Sequence, residues 1–329
     1  MSFWKTLPRP FFALAPLADV TDPAFRRIIA KYSKPEGPAV MYTEFVSADG
    51  LMLAPEEGRK KLLADLAYSE SERPIVAQFF TSKPVIMEKA AALAVELGFD
   101  GVDINMGCPD KSIEKQSAGA ALIKNPKLAQ ELIAAAKQGA GKLPVSVKTR
   151  HGYNKDELET WIPSLLKTGL ASLTIHARTR KEMSLVPARW DRVKRSVELR
   201  DELAPETLII GNGDALDIED ARQKTIETGA DGAMLGRAIF GRPWLFSNSR
   251  EYENSDAEAL KKRLDIMVEH TKLYTELLPH KSFAVMKKHY KAYVKDFDGA
   301  SELRVRLMEA PDAKEIEQIT SDFCATLLS

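Results

Sequence analysis

Eight short apolar runs, bounded by turn residues and mostly separated by helix-like patterns, constrain this chain more than any other feature. They are Phe11 to Ala15, Ala39 to Phe45, Pro74 to Phe79, Gly101 to Asn105, Pro144 to Lys148, Ser172 to His176, Thr207 to Gly211 and Gly232 to Leu235. Runs such as Ile75-Val76-Ala77 and Leu208-Ile209-Ile210 are continuously apolar rather than alternating, as expected where both faces of a parallel sheet are covered. Helix starts are marked by Asp22-Pro23, Ser82-Lys83-Pro84 and Asn125-Pro126, and helix ends by Gly98, Gly169 and Gly229. Serial strand–helix units of this number predict an α/β fold, a (β/α)8 TIM barrel, over residues 1–247. Between Asn248 and Asp256 the chain turns polar and strandless, and beyond it only helical patterns remain. This places a domain boundary there and an all-helical domain over residues 256–329.

A length of 329 residues, 44% of them hydrophobic, is enough for one large domain and a smaller one. No apolar run approaches the roughly 18 residues of a membrane span, and Met1 to Pro10 lacks a signal-type apolar core, so a soluble, cytoplasmic protein without a membrane partner is expected. Cys108 and Cys324 stand too far apart in sequence to suggest a disulfide framework. The histidines (His151, His176, His270, His280, His289) show no ligand spacing with cysteine or carboxylate, so no metal site is expected, and no obligate protein partner is evident. Basic and acidic residues both number 47, so any affinity for nucleic acid must come from local charge.

In a parallel barrel the chemistry sits where strands end and loops begin. Gln78, Asn105, Cys108, Lys148, Arg150, His176, Arg178, Asn212 and Arg237 all fall at such ends. Taken singly, a lysine or arginine there is usually a solvated surface group. Their convergence on one mouth argues for a site. Cys108 closes the run Asp103-Ile104-Asn105-Met106-Gly107-Cys108-Pro109, with Gly107 and Pro109 restricting the backbone that aims the thiol. Gly211-Asn212-Gly213-Asp214 and Gly236-Arg237 match the phosphate-binding position of this fold, after strands seven and eight. Lys148 suits either a Schiff-base lysine or a cation beneath an electron-rich ring, and neighbouring Arg150 favours the cationic site. His176 can donate to a phosphate or a carbonyl.

Together, Ala15-Pro16-Leu17-Ala18-Asp19-Val20-Thr21-Asp22, the Asn105 to Pro109 run with Lys111 and Gly119, Val147-Lys148-Thr149-Arg150, His176-Ala177-Arg178-Thr179-Arg180 and Asn212-Gly213-Asp214 resemble the tRNA-dihydrouridine synthases. The resemblance runs from about Phe11 into the C-terminal helices. It implies an FMN enzyme that reduces uridines in tRNA with NADPH. It further implies that Ala15, Pro16 and Leu17 lie against the isoalloxazine and that Gln78 and Lys148 contact its polar edge. His176, Asn212, Gly213, Asp214, Gly236 and Arg237 would hold the ribityl phosphate, while Asn105 and Cys108 would face the uracil. Arg150 and Arg178 join the substrate side. Cys108, protonated near neutral pH at an ordinary thiol pKa of about 8.5, can serve as general acid to C5 while C6 receives a hydride. The chain departs from the family pattern at Leu17, where Met is frequent, and across Lys181 to Trp190.

In the tail, Lys287, Lys291 and Lys295 recur every four residues and read as one helical basic stripe with Lys288 beside it, a candidate surface for RNA phosphates. Three other readings compete: an FMN-dependent reductase of a free pyrimidine or enone, a cofactor-free aldolase using Lys148, and a non-catalytic RNA-binding scaffold. The basic tail separates the first of these from an RNA-modifying enzyme.

Overall fold

The computed structural model describes residues 2–34, 36–247, 249, 251–253 and 256–327. Its strands are β1 (Phe11–Leu14), β2 (Met41–Ser47), β3 (Ile75–Phe80), β4 (Gly101–Met106), β5 (Val145–Arg150), β6 (Ser172–His176), β7 (Leu208–Asn212) and β8 (Gly232–Leu235). All pair in parallel in the order β1-β8-β7-β6-β5-β4-β3-β2, and the bridge between Ala13 and Val40 closes the ring. The (β/α)8 barrel is therefore present, followed by a helical C-terminal region, and each expected strand coincides with an observed one to within two residues at either end. The proposed boundary stretch, 248–256, falls partly outside the described residues.

Capping explains several helix starts. Asp22 accepts from Phe25 N with Pro23 in the first turn, and Asn125 accepts from Leu128 N with Pro126 following. Gly229, at φ 72°, ends the helix Ile218–Thr228 in the left-handed conformation. Inside the barrel, Ala13, Ala15, Tyr42, Val76, Ile210 and Met234 form one apolar cluster, closed at the N-terminal end by Trp4 and Phe11. Polar Gln78, Asp103, Ser146, Ser172 and Thr174 are also buried on these strands. The larger core lies between the strands and the surrounding helices.

The C-terminal helices Ala257–Leu277, Lys287–Tyr293, Ala300–Glu309 and Ala313–Leu327 share that larger core rather than forming a detached bundle. Phe25, on the first barrel helix (Pro23–Ser33), stacks on His270 at 4.8 Å and meets the edge of His289 at 4.9 Å. Burial holds both histidines below the usual imidazole range, His289 at about 3, so this joint is neutral. A second joint is ionic: Lys281 reaches Glu44 of β2 at 3.0 Å and Asp65 at 3.1 Å, all three largely out of solvent.

The expected basic stripe is shorter than its spacing suggests. The helix ends at Tyr293, because Val294 turns inward to the core and Asp296 takes a positive φ, so Lys295 lies in a loop. Lys287 and Lys291 remain on the helix, and Lys288 sits half-buried among Asp19, Glu44 and Asp22, its amine held low first by burial.

Arg26 and Glu72, both fully buried, meet at 2.7 Å and tie the first barrel helix to the turn before β3. Removing one member of a buried pair strands the other charge. Glu72→Ala should cost about 3–5 kcal/mol, read as a lower urea midpoint with an unchanged slope.

Candidate active site

A cavity of about 670 Å³ opens at the C-terminal ends of the strands. Its lining includes Ala15, Pro16, Leu17, Gln78, Asn105, Cys108, Lys148, Arg150, His176, Asn212, Gly213, Asp214, Gly236 and Arg237. Of the residues singled out from sequence, Arg178, Lys287, Lys288 and Lys291 do not line it. Phe45, Ser184 and Leu216, not anticipated, do.

One side of the cavity is organised by a carboxylate that sequence reading passed over. Asp103 accepts from Gln78 Nε2 at 2.7 Å and Ser146 Oγ at 2.6 Å. Gln78 Oε1 in turn accepts from Asn105 Nδ2 at 3.2 Å, and Asn105 Oδ1 accepts from the backbone N–H groups of Gly107 and Cys108 at 3.1 and 2.9 Å. The chain of bonds fixes both side-chain amides and places the Cys108 loop. Asp103 and Asn105 share a strand face by their two-residue spacing, which is the signal that could have revealed Asp103. Burial pushes the Asp103 carboxyl up to about 6, against the bonds from Ser146 and Gln78.

Glycine is required twice in this loop. A Cβ at Gly107 would meet the Thr149 backbone at 3.1 Å, and one at Gly119, φ +61°, would lie 2.8 Å from the Cys108 carbonyl oxygen. Arg150 also staples the loop, donating from Nε to Gly107 O at 2.9 Å and from Nη1 to Thr179 O and Met183 O at 3.0 and 2.9 Å. It is thus largely committed to structure, with only Nη2 free of a partner among the described residues. Burial pushes the Cys108 thiol up, so it is protonated at neutral pH.

Lys148 has no hydrogen-bond or ion-pair partner among the described residues, although it lines the cavity. Burial, helped by the charge of Arg150, lowers its ammonium to about 8. An unpaired cation in such a position is a seat for negative charge on a ligand. His176 accepts from Arg178 Nη1 at 3.1 Å through Nε2, and burial together with the surrounding cations holds it far below its usual range, hence neutral.

The opposite end is built on β7 and β8. Gly211 and Gly213 pack against Trp190 and Ala188, and Trp190 Nε1 donates to Gly213 O at 2.8 Å. Gly213 adopts φ +125°, which a side chain would resist. Asp214 is not a free anion: it accepts from Arg178, from Arg237 at 2.5 Å and from Ala188 N at 2.8 Å. Burial alone would raise its carboxyl, but the bonds from Arg178 and Ala188 N, with the charges of Arg178 and Arg237, together outweigh it and hold it low. Among the described residues, the backbone N–H groups of Gly213, Asp214, Ala215, Arg237 and Ala238 have no acceptor. Together with Arg237, 63% exposed at its side chain, these residues line the cavity and are candidate donors for an anion. Among the described residues no cluster of three or more potential metal ligands occurs, and no helix is long and apolar enough to cross a membrane.

An unpaired lysine, a protonated thiol and a set of open backbone N–H groups thus share one barrel mouth. Residues 13–327 match the family described as Dihydrouridine synthase (Dus). A probable tRNA-dihydrouridine synthase 2 of Bacillus subtilis (strain 168) is 40% identical over 98% of this chain and 96% of its own length. A probable tRNA-dihydrouridine synthase of Staphylococcus aureus (strain COL) is 38% identical over 99% of this chain and 97% of its own length. Among solved structures, histamine dehydrogenase from Rhizobium sp. 4-9 superposes with a TM-score of 0.52 over 97% of this chain and 62% of its own, at 11% identity, a likeness of fold alone. The chain belongs to the dihydrouridine synthase family and is a flavin-dependent oxidoreductase.

Lys148 gives a pH test with a definite sign. Its charge is present below about pH 8 and lost above it, so flavin affinity should weaken as pH rises through that value. In Lys148→Met, titrated by flavin fluorescence, affinity should be lower throughout and that pH step absent.

Proposed function

We propose that the protein reduces uridines in tRNA to 5,6-dihydrouridine, with FMN as the flavin, NADPH as its reductant and Cys108 as proton donor. The observation that carries this reading is the pairing, in one cavity, of a protonated thiol just after β4 with a lysine in the C-terminal half of β5 that has no partner among the described residues. The donor nest after β7 and β8 suits a single phosphate monoester, which favours FMN among flavins. Pro16, Leu17 and Ala15 offer an apolar wall for the ring, Gln78 and Lys148 its polar and cationic contacts, and Arg237 a guanidinium for the phosphate.

When bound, the reduced flavin supplies the hydride that C6 of the uracil accepts. The chain does the rest. Lys148 stabilises negative charge on the electron-rich ring. Asn105 keeps one amide N–H, and Arg150 its Nη2, for the uracil carbonyls, while Asn105 Oδ1, accepting from Gly107 and Cys108 N–H, and Arg150 Nε, donating to Gly107 O, hold the Cys108 loop in place. The Cys108 S–H gives its proton to C5 on the opposite face, and the thiolate is reprotonated from solvent. The raised thiol pKa keeps this donor loaded through neutral pH, and activity falls as pH climbs past it.

The relatives named above are tRNA enzymes by name, which supports tRNA as the partner. Lys287 and Lys291, one turn apart on the helix Lys287–Tyr293, are the proposed phosphate contacts, with Lys288 contributing less because it faces acidic neighbours.

Cys108→Ala should retain the flavin spectrum and the fold yet lower dihydrouridine formation by about 10²–10⁴, the usual worth of a positioned general acid. Full activity in that variant would end the assignment. Lys287→Glu with Lys291→Glu should weaken tRNA binding and flatten its dependence on salt by about one slope unit per lost contact. A filter-binding titration across salt concentrations reads both.

A further inference from the structure

The loop from Thr179 to Ala188 combines tight anchoring with an exposed apolar tip. Arg150 holds the carbonyls of Thr179 and Met183 at 3.0 and 2.9 Å, and Arg178 Nε holds that of Val186 at 2.6 Å. Arg180 pairs with Glu114, and Thr179 N donates to Glu182 Oε2 at 2.6 Å. At the tip, Leu185 is 86% exposed, with Met183 and Val186 at 42% and 38%. Neighbouring Ser184 lines the cavity. A leucine so exposed contributes nothing to the core, and a loop pinned by buried arginines is not merely slack chain.

The cavity below explains what such a tip can do. Cys108 and Lys148 lie at strand ends, so a base in a folded RNA reaches them only after leaving its stack. Extrusion leaves a gap between the flanking bases. Proteins that distort a nucleic-acid stack fill such gaps with aliphatic or aromatic wedges, which need a stiff support to act against stacking.

We propose that Leu185 is this wedge: it enters the stack beside the target uridine and occupies the space the base vacates. The inference rests on the RNA-uridine reading above. Leu185 is a positioning residue that acts on the RNA rather than on the reacting atoms.

The test uses the flavin-loaded full-length enzyme with tRNA, and with an unstructured oligonucleotide carrying uridine. Leu185→Ala and Leu185→Asp should lower kcat/KM on tRNA at least about tenfold, the scale expected when a wedge opposing unstacking is lost. Leu185→Met should restore most of it, and the loss on the unstructured strand should be far smaller. In tRNA carrying 2-aminopurine next to the target, the binding-induced rise in fluorescence should shrink in Leu185→Ala. Equal kcat/KM on tRNA for wild type and both disruptive variants, or an equal loss on both substrates, would overturn the wedge. If the wild-type enzyme forms no dihydrouridine in either RNA, it is the underlying RNA-uridine reading that fails.

Discussion

The geometry of the mouth depends on one buried carboxylate. Asp103 has no salt-bridge partner among the described residues; it is satisfied by Gln78 and Ser146, and through Gln78 it sets the amide of Asn105 and so the Cys108 loop. An apolar residue at 103 would leave Gln78 free to turn, and each later link would lose its direction. Placing the reference group inside the barrel, away from exchange with water, lets a hydrogen-bonded relay hold the Cys108 loop in a fixed position. Lys148, one strand over, is left unpaired in the same region, and the Asp103 charge is among those that favour its ammonium.

The barrel was legible because strands covered on both faces must be apolar throughout, and eight such runs separated by helices leave few alternatives. The edges were less so. β2 starts at Met41 rather than Ala39, since the Ala39–Val40 stretch serves the closure onto β1, and β5 continues through Thr149 and Arg150, where polar side chains on the mouth hide strand from an apolar reading. Among candidate site residues, those at strand ends were placed in the cavity by the fold itself. Arg178 was not, because its guanidinium turns to Val186, His176 and Asp214, a packing choice that no local pattern announces. Asp103 escaped notice because a carboxylate within an apolar run looks like an exception until its barrel neighbours are known.

The tail was misread in one respect for a similar reason. A four-residue lysine period predicts a helical stripe only while the helix lasts, and the burial of Val294 ends it before Lys295. Nor does charge spacing reveal that Lys288 looks toward Asp19, Asp22 and Glu44, residues contributed by the distant β1–β2 part of the barrel. Tertiary context decided both.

The Lys281 clamp makes the molecule a caliper. Because a largely buried cation fastens the helical arm to β2, the span between arm and barrel is set when the chain folds rather than left to a swinging linker. On the proposed reading, an RNA held by the arm is therefore measured out over a fixed distance before its uridine enters the cavity. On that reading, selecting a different nucleotide would call for a new grip, with the chemistry beneath left as it stands.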